Sequence, residues 1–152
     1  MTMTATTLDE MTLTITEEIR VDATLDATFA AMLEELGPHN QQRDGTPMPM
    51  TIEAKPGGRW YRDLGQDNGH LWGHVQAIKR PTLLEITGPL FMSYAVISNL
   101  QYRLAPVDGG TLIIFRHSAI GFISEDHRTG LKTGWTLKLE HIRKNAEGAR
   151  RA

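Results

Sequence analysis

The sequence predicts an α+β domain, a curved antiparallel sheet of six to seven strands wrapped around a long C-terminal helix. Three observations lead there. Between residues 50 and 117, short alternating apolar runs follow one another through connections rich in Gly, Pro and Asn. Such connections suit hairpins and are too short for crossover helices. From Glu125 to Ala149, Leu131, Trp135, Leu139, Ile142 and Ala146 recur at intervals of four and three, the longest amphipathic pattern in the chain. Finally, 152 residues is the size of one domain, and such a domain buries roughly 70% of its unfolded surface in a single core.

Taken in order, residues 1–10 read as a disordered leader ahead of a single domain over 11–149. Met11 to Arg20 is a Thr-rich strand, with Leu13, Ile15, Ile19 and Val21 apolar and room for an irregularity at Glu17-Glu18. Thr24 is a good N-cap, and Leu25, Phe29, Met32, Leu33 and Leu36 share one helical face. Gly37-Pro38 ends that helix, and residues 37–49 form a loop with room for one helical turn. Met50 to Lys55 is a short strand, and Pro56-Gly57-Gly58 a turn. Arg59 to Leu64 and His70 to Lys79 form a hairpin whose turn signal is Asn68-Gly69. After Arg80-Pro81 come strands Leu83 to Gly88, Val96 to Leu104 and Leu112 to His117, the last two joined at Asp108-Gly109-Gly110. Two helices must cover the apolar face of this sheet, and the long one supplies most of the cover. A sheet curled around a helix tends to leave a gap between them.

Composition excludes several functions. There are no cysteines, hence no disulfide, thiolate metal site or thiol nucleophile, which fits a cytoplasmic protein. The start, MTMTATTLDEMTLT, has neither the basic residues nor the apolar run of a secretory signal. No stretch approaches the ~20 apolar residues of a membrane span. A net charge of −2 favours neither nucleic acid nor an anionic membrane. Arg143, Lys144, Arg150 and Arg151 read as cations complementing a helix C-terminus, with a nucleic-acid or lipid contact as the alternative. None of the common phosphate-, dinucleotide-, serine-hydrolase or zinc-protease motifs occurs. His70 and His74 lie four apart, but on a strand that is ~13 Å, too far for one metal. Solvated positions account for His127 and His141. No catalytic residue, metal or cofactor is assigned.

Several motifs together resemble a known family. They are Pro56-Gly57-Gly58 before an aromatic strand, Gly73-His74-Val75 leading to Pro81 and the LLEIT run at 83–87, Gly110-Thr111 opening the strand that ends in His117-Ser118, and Gly134-Trp135 in the last helix. As a set they look like the activator of heat-shock-protein ATPase homologue family, within the START-like, Bet v-like (SRPBCC) helix-grip superfamily. The resemblance covers nearly the whole chain. It implies the order β-α-(α)-β6-α with a cavity between sheet and C-terminal helix. It does not imply one function, since a fold hosts many.

The cavity-lining candidates are Trp60, Arg62, Trp72, His74, Ile86, Phe91, Tyr102, Phe115, His117, Trp135 and Leu139. Trp60 and Arg62 point the same way: inward, Arg62 needs an acidic partner; outward, it covers Trp60. His70, Trp72 and His74 fall on one strand face. His117 shares a face with Ile113 and Phe115; it either orients a ligand oxygen or is a core histidine satisfied by a backbone carbonyl or Ser118. Trp135 and Leu139 enter because the resembling family builds its cavity wall from this helix. Pro89 to Met92 with Tyr94 is an apolar run that suits a lid, packing on the first helix, or a homodimer contact.

The expected function is noncatalytic binding of a small hydrophobic or amphipathic molecule. One alternative is an interaction or chaperone-associated module working through 89–94. Another is a cyclase or hydrolase of small aromatic substrates, with His117 and Arg62 or Tyr102 as its polar pair.

Overall fold

A computed structural model describes the chain over residues 6–151, and its side chains over 6–148. The elements are a one-turn helix α1 (Leu8–Met11), strand β1 (Thr12–Val21), helix α2 (Leu25–Leu36), strands β2 (Thr51–Ile52), β3 (Arg59–Gly65), β4 (Asn68–Lys79), β5 (Leu83–Gly88), β6 (Val96–Val107) and β7 (Gly110–Gly121), and helix α3 (Glu125–Arg151). The strands form one curved antiparallel sheet in the order β1-β7-β6-β5-β4-β3-β2. Period-two patterning explains its two faces. On β7, Thr111, Ile113, Phe115, His117 and Ala119 are buried, while Ile114 and Arg116 between them are exposed. On β6, Ser98, Leu100, Tyr102 and Leu104 are buried.

Helix α2 starts where Thr24 Oγ1 accepts from the Ala27 N–H at 3.1 Å. It ends at Gly37, whose N–H bonds to the Glu34 carbonyl at 3.2 Å. Helix α3 buries Leu131, Trp135, Leu139, Ile142 and Ala146, the stripe its periodicity predicts. Tyr102 packs at a tilt against Phe115 and Phe115 against Trp135, each pair with ring centroids 4.9 Å apart. These three rings fill the space between sheet and helix, so any gap lies elsewhere. No helix among the described residues is long and apolar enough to cross a membrane.

Several local expectations need correction. Residues 8–10 of the expected leader, with Met11 of the expected strand, are helical, because Thr7 and Glu10 form a capping box and the Arg128 guanidinium holds the carbonyls of Glu10 and Thr12. Residues 1–5 lie outside the described part. Glu17 and Glu18 pair with β7 in unbroken register, so β1 has no irregularity there. The β3–β4 loop is Gln66-Asp67, both at positive φ (54° and 61°), and Asn68-Gly69 belongs to β4. Asn68 serves the loop from its flank, donating to the carbonyls of Gly65 and Gln66. Gly69 is needed for close approach: a Cβ there would sit 2.1 Å from the Arg62 carbonyl oxygen. The 37–49 loop is built from turns and a Gln41–Pro47 bridge, without a helical turn. Helix α3 extends through the basic tail, but the side chains of Arg150 and Arg151 lie outside the described residues.

Candidate functional site

One irregularity on β4 shapes the site. Pairing with β3 steps from Trp60↔Gly73 to Tyr61↔Leu71, which leaves Trp72 as a bulged residue. Beyond the bulge the faces exchange. Trp72 and Val75 are buried, His70 is half-buried, and His74 is exposed on the outer surface. The single face expected for His70, Trp72 and His74 is therefore broken, and His74 is not near the cavity.

Trp72 instead packs edge-on against Trp60, with centroids 5.0 Å apart, and against Phe91 at 5.8 Å. Together with Trp135 and Leu131 of α3, these rings wall a cavity of about 510 Å³. Its other walls are Asn40 to Arg43 and Met48 of the loop after α2, and the cavity-facing side of α3 from Asp126 to Lys138. All three tryptophans of the protein line it. Each indole N–H is already engaged: Trp60 with the Leu36 carbonyl at 2.7 Å, Trp72 with His70 Nδ1 at 3.1 Å, Trp135 with His117 Nδ1 at 3.0 Å. The rings therefore offer the cavity apolar surface without an orphan donor.

On α3, Gly130 and Gly134 are one turn apart and both face the cavity. A Cβ on Gly130 would meet an Arg43 guanidinium nitrogen at 2.8 Å, and one on Gly134 the Arg43 Cδ at 3.8 Å. Arg43 thus lies across a stretch of helix that carries no side chains. The next turn brings Lys138, whose ammonium donates to Asn40 Oδ1 and, at 3.4 Å, to the Glu35 carbonyl. Asn40 is 2% exposed and is fixed by its amide donating to the Met48 carbonyl at 3.0 Å. Burial pushes Lys138 down to about 8, partly offset by attraction to Glu35. Burial likewise raises the Glu35 carboxyl, against the pull of Lys138 and His141. At the other end, Tyr94 Oη accepts from the Ser124 N–H at 3.1 Å and bonds His127 Nδ1 at 2.8 Å. This ties the 89–94 segment to the start of α3 beside the cavity.

Of the eleven candidates, the structure brings Trp60, Trp72, Phe91 and Trp135 together around the cavity. Ile86, Tyr102, Phe115, His117 and Leu139 are core residues behind that wall. Arg62 is half-buried on β3, away from it. His117 is enclosed by Trp135 and by Ser98 of the neighbouring strand, whose Oγ is 2.9 Å from Nε2; Ser118 is not its partner. The polar pair that a catalytic reading drew from His117 with Arg62 or Tyr102 does not meet at the cavity. The 89–94 run is not an exposed apolar surface either. Leu90 and Met92 are fully buried and Phe91 faces the cavity, while exposed large apolar side chains lie elsewhere, among them Ile97, Ile120 and Phe122.

Sequence reasoning missed Asn40, Arg43, Gly130 and Lys138, and took Gly134 only as part of the Gly134-Trp135 motif. A signal was present: Gly130, Gly134 and Lys138 form a second stripe on α3 beside the apolar one, at spacings of four. Among the described residues no cluster of three or more His, Asp or Glu side chains suits a metal ion. A depression of about 490 Å³ on the outer sheet face is lined mainly by polar and charged residues, including Glu17, Glu18, Arg103 and Arg116. Its lining lacks the aromatic wall of the first.

Solved structures share this architecture. An uncharacterized protein from Rhizobium leguminosarum superposes with a TM-score of 0.69 at 15% identity, covering 90% of this chain and 95% of that one. CalU16 from Micromonospora echinospora gives 0.62 at 21% identity, covering 90% and 79%. Ara h 8.0201 gives 0.67 at 14%, covering 90% and 99%. At these identities the likeness establishes the helix-grip fold and nothing further. No curated protein matches the sequence. The model for the activator of Hsp90 ATPase homolog 1-like protein matches residues 22–147, from the turn before α2 nearly to the end of α3. The chain therefore belongs to the activator of Hsp90 ATPase homolog 1-like family.

Proposed function

We propose that the protein binds a small hydrophobic or amphipathic molecule, without chemistry, in the cavity between the β3–β4 hairpin, the Phe91 segment and α3. The observation that carries this reading is the convergence of all three tryptophans and Phe91 on one cavity of about 510 Å³. That volume suits a small organic ligand, since such sites span ~300–1,000 Å³ and combine apolar walls with a few placed polar groups. The START-like fold supports the same reading. Native mass spectrometry of freshly purified protein, repeated after organic extraction, tests it. A discrete added mass that extraction removes is the expected result. A bare chain that also fails to bind fatty acids, sterols and aromatic polyketide-like compounds would defeat it.

A catalytic reading has one observation in its favour, the Tyr94–His127 pair at the cavity edge. Among the fold neighbours, StfQ is a di-domain ARO/CYC from the steffimycin biosynthetic pathway, with a TM-score of 0.64 at 11% identity over 54% of its chain. Turnover of an aromatic polyketide substrate that His127→Gln abolishes, with ligand affinity kept, would decide for it.

A further inference from the structure

Among the described residues, Lys138 is the one ammonium on the cavity wall, and two of its three donors are engaged. An ammonium has three donors. Two go to neutral oxygens, Asn40 Oδ1 and the Glu35 carbonyl. Among the described residues no carboxylate lies within ion-pair distance of Nζ. Glu35 is the acid that attracts it, but only at longer range, and its buried Oε2 has no hydrogen-bond partner. A half-buried cation beside apolar rings is unfavourable without a counter-charge. The holder is nonetheless built: Asn40 is 2% exposed and anchored at both its backbone and its amide to Met48. The remaining charges along the wall add to the asymmetry. Arg43 crosses Gly130 and Gly134 and makes no ion pair among the described residues, while Asp126 is the only carboxylate residue in the lining.

We infer that the ligand of this cavity is an amphipathic anion, an aromatic body between the tryptophans whose acid group bonds Lys138 Nζ. This rests on the binding reading above and specifies its ligand class. The acid oxygen takes the third ammonium donor, and the ring system packs against the tryptophan and Phe91 faces, beside the Arg43 side chain that covers Gly130 and Gly134. Arg43 adds positive field at the rim without contacting the acid group.

Two fluorescent probes separate the inference from its parent. They are 8-anilinonaphthalene-1-sulfonate and N-phenyl-1-naphthylamine, the same rings without the sulfonate. Both are expected to bind one per chain and to compete. The anion should bind about tenfold tighter, since a hydrogen bond between charged groups is worth roughly one decade or more in affinity. Lys138→Met should remove that preference and leave the neutral probe within about twofold, and Lys138→Arg should restore it. Equal affinities in the unaltered protein overturn the inference alone, and need no variant to fold. So does a natively folded Lys138→Met protein, by circular dichroism, that weakens both probes alike. Failure of both probes to bind overturns the binding reading and this inference with it.

Discussion

His117 shows how far one buried ring can be understood from its partners. Nδ1 accepts from the Trp135 indole, so the proton sits on Nε2 and is donated to Ser98 Oγ. The ring is fully buried, and burial pushes its pKa down to about 4. Its folded form is therefore neutral, whereas the unfolded chain protonates it near pH 6.5. The associated stability is complete above that value and is lost as pH falls from about 6.5 toward 4. Urea unfolding should show His117 removing about 2 kcal/mol of stability between pH 7 and pH 5. His117→Gln keeps a donor and an acceptor but cannot titrate, so its profile over this range should be flatter by that amount. An equally steep profile in the variant would assign the acid sensitivity to other groups. The residue itself was legible in the sequence as a core or cavity histidine. Its partner was not, because Ser98 becomes a neighbour only through the β6–β7 register, which places Asn99 opposite Ser118 and Leu100 opposite His117.

At the scale of elements, α3 carries two stripes with different duties. Leu131, Trp135, Leu139, Ile142 and Ala146 hold the helix to the sheet. Gly130, Gly134 and Lys138 face the cavity. Alanine at 134 would meet only Arg43 aliphatic carbons at 3.8 and 3.9 Å, an ordinary contact. Gly134→Ala should thus raise stability by roughly 0.5–1 kcal/mol through helix propensity, read by calorimetry. Gly134→Leu should leave the fold intact and weaken either naphthalene probe severalfold, because its side chain occupies the cavity. Unchanged probe affinity in Gly134→Leu would place the ligand elsewhere. The anchoring stripe was legible because large apolar side chains mark it. The cavity stripe consists of two glycines and a lysine, which counts of apolar periodicity pass over. The β4 bulge at Trp72 was hidden for a related reason: alternation assumes one residue per pairing step, and an extra residue reverses every side chain beyond it.

For the whole molecule, the fold was legible because hairpin turns and amphipathic periods are local properties. The location of the gap was not, because it depends on which parts of the interior the long side chains fill. Tyr102, Phe115 and Trp135 close the centre beneath α3, and the space remains toward the β3–β4 side and the start of the helix. Hydrogen exchange should follow this division. Amides of Leu100, Tyr102 and Phe115, in the central ladder, should exchange most slowly, and those of the 41–47 loop among the fastest. Ligand binding should slow exchange around Asn40 to Met48 and leave the central ladder unchanged. Protection spread evenly over the sheet would argue against a site at this wall.

Titration of ¹⁵N-labelled protein with 8-anilinonaphthalene-1-sulfonate, followed by two-dimensional NMR, tests the binding site most directly. The three tryptophans give three indole N–H signals, and all three rings line the cavity. Saturable one-to-one shifts of all three indoles and of the Gly130 and Gly134 amides are expected, with Arg103 and Arg116 on the outer face stationary. Shifts confined to the outer face, or none that saturate, would contradict it.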